Sequence, residues 1–118
     1  MAERGEGTIQ RELSRGTTEL AVLALIAARQ RYGYDLLSTL GRATDGSLAI
    51  KEGTLYPVLH RLEDGGFIAA TWEAEGRTAP RKYYRITREG KTRLDALRTE
   101  WQRLVTGIDR LLDGGAES

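Results

Sequence analysis

Between Lys51 and Tyr84 the chain reads KEGTLYPVLHRLEDGGFIAATWEAEGRTAPRKYY, and its polar donors gather in two clusters. Thr54, Tyr56, Pro57, His60 and Arg61 precede a Gly65-Gly66 pair, and Arg77, Arg81, Lys82 and Arg85 follow it. His60 and Arg61 can donate to guanine or phosphate. Thr54 and Tyr56 suit phosphate, and Pro57 offers an apolar surface to a thymine methyl. A basic hairpin gains affinity by releasing counterions from phosphates, and an arginine at its tip can enter a minor groove. Taken alone, the first cluster is equally a solvated polar helix face, and a charge run is commonly only solvated surface. Side by side, the two predict double-stranded DNA as the partner.

Other chemistry finds little support. His60 is the only histidine and cysteine is absent, which excludes disulfides, thiolate metal sites and a histidine cluster for zinc. Ser14, Ser38 and Ser47 lack a base and an orienting group nearby in sequence. The paired glycines follow a helix instead of preceding one, so no phosphate loop is present. No active site, metal or cofactor is expected.

At 118 residues, with 40% hydrophobic and 30% charged residues, the chain is expected to form one globular domain. Its net charge of +1 conceals an asymmetry: Arg77, Arg81, Lys82, Arg85, Arg88, Lys91 and Arg93 face Glu89 alone over that stretch. The field that attracts phosphate is local, so the asymmetry matters more than the total. A polar start without a signal-like apolar run, and no stretch of membrane-spanning length, predict a cytoplasmic protein.

The elements that must position these side chains follow from periodicity and turn chemistry. Residues 1–12 are expected to be a flexible segment, 13–87 a DNA-binding domain, 88–113 a C-terminal helix and 114–118 a disordered tail. A first helix begins after Gly16 with Thr17 or Thr18 as cap and ends near Arg31; its apolar residues cover more than one face, so its own domain takes one side and a partner can take the other. Gly33 permits a tight turn into a second helix over 34–42. Leu48 and Ile50 suggest a short strand. The third helix starts between Lys51 and Gly53 and stops at Gly65-Gly66. It turns Leu55, Val58, Leu59 and Leu62 inward, and Pro57 disturbs it least if the start lies near Gly53. Ile68, Ala70 and Trp72 share one strand face, with Trp72 expected as core beneath the hairpin. Thr87 caps the last helix, and Glu89 suits its dipole.

In that last helix Leu94, Leu97, Trp101, Leu104, Ile108 and Leu111 recur at alternating spacings of three and four. This is a heptad seam, and it calls for a partner surface. Two readings stand for Trp101: packing within the seam, or a wall for a small planar hydrophobic ligand between two copies.

GTLYPVLHRLEDGGFI, Trp72 in the following strand, RKYYRITREG and the earlier YGYDLL together resemble the PadR family of transcriptional regulators, of the short type with one C-terminal helix. The resemblance covers roughly residues 13–112. It implies an α+β, mainly α, winged helix-turn-helix fold with a C-terminal dimerisation helix. It also implies a homodimeric repressor on an inverted-repeat operator, with Thr54, Leu55, Tyr56, Pro57 and Arg61 in the recognition motif and Arg81 and Lys82 in the wing; the wheel keeps Leu55 inward. In that family the first and last helices form the dimer interface, which places Leu20, Leu23, Leu94, Leu97, Trp101, Leu104, Ile108 and Leu111 there. Some short members bind aromatic compounds beside a Trp like Trp101, with release from DNA. Glu52 lies close to where phosphate would sit and leaves the role of the helix start open. A MarR-like fold needs more helical chain. An alternative of another class is a dimeric ligand-binding or protein-interaction module that keeps the fold without DNA binding.

Overall fold

The computed structural model describes residues 9–74, 76 and 79–114. Residues 9–14 are helical (α1), followed by α2 (Thr18–Ala28), β1 (Arg31–Tyr32), α3 (Gly33–Ala43), α4 (Glu52–Asp64), β2 (Ile68–Glu73), β3 (Arg81–Ile86) and α5 (Arg88–Leu112). The three strands form one antiparallel sheet in the order β1-β3-β2. This is the α+β, mainly helical winged helix-turn-helix expected, with the long helix at its C-terminal end.

One core serves the helices from α2 onward and strands β2 and β3. Val22, Leu23 and Ile26 of α2 meet Leu36 and Leu40 of α3, Leu55, Val58, Leu59 and Leu62 of α4, Ile68, Tyr84 and Leu94. α2 lies in the middle because it is apolar nearly all round. The surface on it that could have faced a partner is covered largely by α5 of the same chain, where Arg93 Nη2 and Nε donate to the Glu19 carboxylate at 2.9 and 3.3 Å. Leu23 is fully buried and Leu94 nearly so, which corrects their assignment to a dimer interface: neither has surface left to offer.

Four local expectations also change. α2 ends at Ala28, and Arg31–Tyr32 leaves the helix to pair with Tyr84 and Tyr83 of β3. The third strand is therefore here and not at Leu48–Ile50, which is irregular. Thr17 precedes α2, but its hydroxyl donates to the Ser14 carbonyl at 2.6 Å instead of capping the helix. Residues 9–12, expected to be flexible, belong to helix α1.

α4 ends as its glycines require. Gly66 takes φ +80°, Phe67 N donates to Leu62 O at 2.9 Å, and Gly66 N donates to Glu63 O at 3.0 Å. This is a Schellman stop, in which the left-handed residue satisfies carbonyls the helix would leave open. The same turn holds the start of α5. Thr87 Oγ1 donates to Gly66 O at 2.6 Å and accepts from Gly90 N at 3.0 Å, and Thr87 N donates to Phe67 O at 3.1 Å. Thr87 is thus the cap expected for α5.

Gly90 lies so near the Phe67 carbonyl oxygen that a Cβ would overlap it, and would stand 2.7 Å from Ile86 Cγ1. Helix propensity alone would make Gly90→Ala a gain of about 1 kcal/mol. A backbone oxygen cannot move aside cheaply, so the expected outcome in urea denaturation is a net loss of about 2 kcal/mol.

Candidate nucleic-acid interface

α4 presents an uncovered face. Its four inward residues are buried, whereas Gly53, Thr54, Tyr56, Pro57, His60, Arg61 and Asp64 are exposed to different degrees. Lys51 caps the helix without a side-chain bond, its carbonyl accepting from Thr54 N at 2.9 Å and Leu55 N at 3.0 Å. Pro57 falls inside the helix and leaves the Gly53 carbonyl without its intrahelical donor. Tyr56 is only 38% exposed. Its hydroxyl occupies the place a Cβ on Gly33 would take, so a larger residue at Gly33, the first residue of α3, would have to displace the tip of the Tyr56 ring. Thr54, Pro57, His60 and Arg61 remain the outward set.

The hairpin stands beside α4. Trp72 pairs across the ladder with Lys82 and Glu73 with Arg81. Lys82 Nζ lies 3.1 Å from Glu63 Oε1 near the end of α4 and 5.3 Å from the Tyr84 ring centroid. Partial burial pulls the Lys82 ammonium toward the neutral form, but the Glu63 hydrogen bond, with the charges of Glu63 and Tyr84, outweighs it and raises the pKa above that of an ordinary lysine. Burial in turn pushes the Tyr84 phenol up against the opposing charge of Lys82. Lys82 is therefore a strut between the hairpin and α4, where sequence reasoning had it as a free wing cation. Arg81 keeps an exposed position, its guanidinium 4.3 Å from the centroid of the Tyr32 ring. Arg85 is exposed on the same strand. Arg77 lies outside the described residues.

Trp72 departs furthest from expectation. It is 66% exposed, because the end of β2 runs past the helices that cover Ile68 and Ala70. Its place in the alternating pattern suggested core; nothing local to the sequence records how far the layer beneath a strand extends.

Sequence reasoning missed the device that holds the small sheet to the helices. Arg31 is 8% exposed, and its Nε donates to Leu25 O at 2.8 Å near the end of α2. Its Nη1 reaches Asp35 at 3.4 Å, and Asp35 accepts from Thr39 Oγ1 at 3.1 Å. The Arg31–Asp35 spacing of four was the available signal. Tyr32 follows directly, packs edge-on against Tyr83 with centroids 5.4 Å apart, and carries Arg81 on its face.

In α5 only Gly90 and Leu94 are buried, and between Arg98 and Gly114 only Val105 is even half-covered. Trp101, Leu104, Ile108 and Leu111 are 42–61% exposed, and Ile9 and Leu13 of α1 are exposed as well. Leu20 and Leu97 are partly buried against the core. No helix among the described residues is long and apolar enough to cross a membrane, and none of them form a cluster of metal-ligating side chains.

A winged helix-turn-helix with an uncovered helix at the position of α4 is the architecture of a class of transcription regulators. Residues 22–96 match the Transcriptional regulator PadR-like family, and the chain belongs to that family. It is 37% identical over 106 residues to an uncharacterised protein of Lysinibacillus sphaericus, covering 90% of this chain and 97% of the other. A PadR family transcriptional regulator from Eggerthella lenta superimposes with a TM-score of 0.80 at 36% identity, over 94% of this chain and 95% of that one. PadR of Bacillus subtilis, solved in complex with operator DNA, has a TM-score of 0.62 at 29% identity, over 67% of this chain and 45% of that one. That protein, the negative transcriptional regulator PadR, is 31% identical over 74 residues, covering 63% of this chain and 41% of its own length.

Replacing Arg31 removes the buried donor of the Leu25 carbonyl, while Asp35 keeps Thr39 Oγ1 at 3.1 Å and Arg29 Nη2 at 3.5 Å. Arg31→Met should cost about 2 kcal/mol in chemical denaturation, with faster amide exchange at Tyr83 and Tyr84, its neighbours across the ladder.

Proposed function

We propose that this protein is a homodimeric repressor that binds an inverted-repeat operator through α4 and the hairpin. The observation that carries the reading is the outward face of α4: polar, uncovered and flanked by a hairpin, in a chain of the PadR-like family. A helix of this kind fits the major groove, where base edges are distinguishable. Arg61 and His60 are assigned to bases or phosphate, Thr54 to phosphate and Pro57 to an apolar base contact. Tyr56 is assigned mainly to packing on Gly33, with its exposed edge toward DNA. Arg81 is the wing cation, and Lys82 sets the angle of the wing through Glu63. The operator complex of Bacillus subtilis PadR supports the choice of DNA over a module that has lost it.

The dimer rests on α5. Its uncovered apolar stripe from Trp101 to Leu111 exceeds what scattered surface residues explain. Pairing it with the same stripe of a second copy, with Ile9, Leu13 and Leu20 at its margin, would bury it around a two-fold axis. The two α4 helices would then address successive major grooves roughly 34 Å apart. Packing in this seam accounts for Trp101, and no planar ligand is assigned to it.

Fluorescence polarisation on duplexes from the gene's own promoter, in a salt series, should show affinity falling steeply as salt rises; salt-insensitive or absent binding refutes the proposal. Arg61→Ala should lower discrimination between operator and random duplex by about 1–3 kcal/mol, while Arg81→Ala weakens both alike. Leu104→Asp should sediment as a monomer with its thermal transition retained. A Leu104→Asp dimer would place the interface elsewhere.

A further inference from the structure

At about 100° per residue, Glu63 lies on one edge of α4 and Thr54 and Arg61 on the opposite edge. The Glu63 edge meets the hairpin through Lys82. The other edge forms one wall of an open groove of about 740 Å³. Arg11 and Arg15, from α1 and the turn after it, line the groove, and Lys51 joins them from the segment before α4. Four cationic side chains therefore surround this space: Arg11, Arg15, Lys51 and Arg61. Among the described residues Glu19 is the one carboxylate in its lining, and both of its oxygens accept from Arg93, at 3.3 and 2.9 Å. Arg15, Lys51 and Arg61 have no ion-pair partner among the described residues. All three are exposed.

Like charges gathered without counter-charge repel one another, and an anion relieves that repulsion. The groove adjoins the outward face of α4 along its length, from Thr54 to Arg61. A helix lying in a major groove about 12 Å wide has a phosphate strand on each side. The hairpin serves one side, and its Lys82 is already committed to Glu63.

We propose that the groove between α1 and α4 is a second phosphate-backbone site, in which Arg15 and Lys51, beside the edge of α4 that carries Arg61, receive the DNA strand that runs on the side of α4 away from the wing. α1 and the turn after it thereby become part of the DNA-binding surface. The inference rests on the DNA-binding reading above and adds to it a distinct set of contacts. Acidic Glu52 at the start of α4 is then offset by Lys51 and Arg15.

The test compares the intact protein with the double variant Arg15→Ala/Lys51→Ala on operator and random duplexes across a salt series. Loss of two phosphate contacts should make the slope of log Kobs against log salt shallower by about 1.8 per protomer. Affinity should fall by the same factor on both duplexes, because these contacts do not read bases. The charge-preserving pair Arg15→Lys/Lys51→Arg should keep the original slope, with sedimentation and thermal unfolding unchanged in both variants. An alanine pair with the original slope, or a charge-preserving pair that loses it, overturns the proposal while leaving DNA binding itself intact. Absence of salt-dependent binding in the unaltered protein would instead remove the reading on which the proposal rests.

Discussion

The turn from Gly65 to Phe67 is the joint on which the rest of the molecule depends. Its left-handed Gly66 closes α4, its carbonyls hold Thr87, and its Phe67 backbone touches Gly90. Thr87 in turn caps α5. The end of α4, the root of the hairpin and the start of α5 are thus tied within a few residues. The hydrogen bonds involved are individually modest, about 1 kcal/mol each. Their importance is geometric: the direction in which α5 leaves is set against the direction in which α4 lies. In a symmetric dimer those two directions decide how far apart two copies of α4 stand.

Charge is distributed so that some groups hold the structure and others are left for solvent or a ligand. Arg31 is spent between α2 and Asp35, Arg93 on Glu19, and Lys82 on Glu63. Glu19 also holds Arg93 more firmly protonated than usual through its hydrogen bond and charge. Each of these pairs joins elements distant in the chain, or a strand to a helix, and each withdraws a carboxylate or a cation from the surface. Arg15, Lys51 and Arg61 remain without such partners among the described residues, on the other flank of α4. A net charge of +1 therefore describes the field of this molecule poorly. Pairing sets where positive potential persists.

α5 is built in two parts that do different work. Its first turns, through Leu94 and Leu97, belong to the core, and the remainder carries apolar side chains into solvent. The heptad spacing is continuous across both parts. Periodicity reports that a helix has an apolar stripe and is silent on who covers it. The fully buried Leu23 teaches the same lesson from α2, a helix apolar on all sides whose coverings are mostly its own chain.

Much of this protein was legible in its residues. The order of helices and hairpin, the inward leucines of α4, the Gly65-Gly66 stop and the Thr87 cap all follow from interactions that span a few residues. Such interactions leave periodic or turn-specific traces. The motif from Gly53 to Ile68 with its RKYYRITREG sequel carried the family. Tertiary structure alone decided the rest: that Arg31–Tyr32 would be a strand, that Lys82 would face Glu63, that Trp72 would stand in solvent, and that Arg15 would share a groove with Arg61. A two-residue strand exists only through its partner, and a charge acquires its role only from what packing sets opposite it. Neither is encoded within the reach of a helical turn or a strand's alternation, which is as far as sequence pattern alone can see.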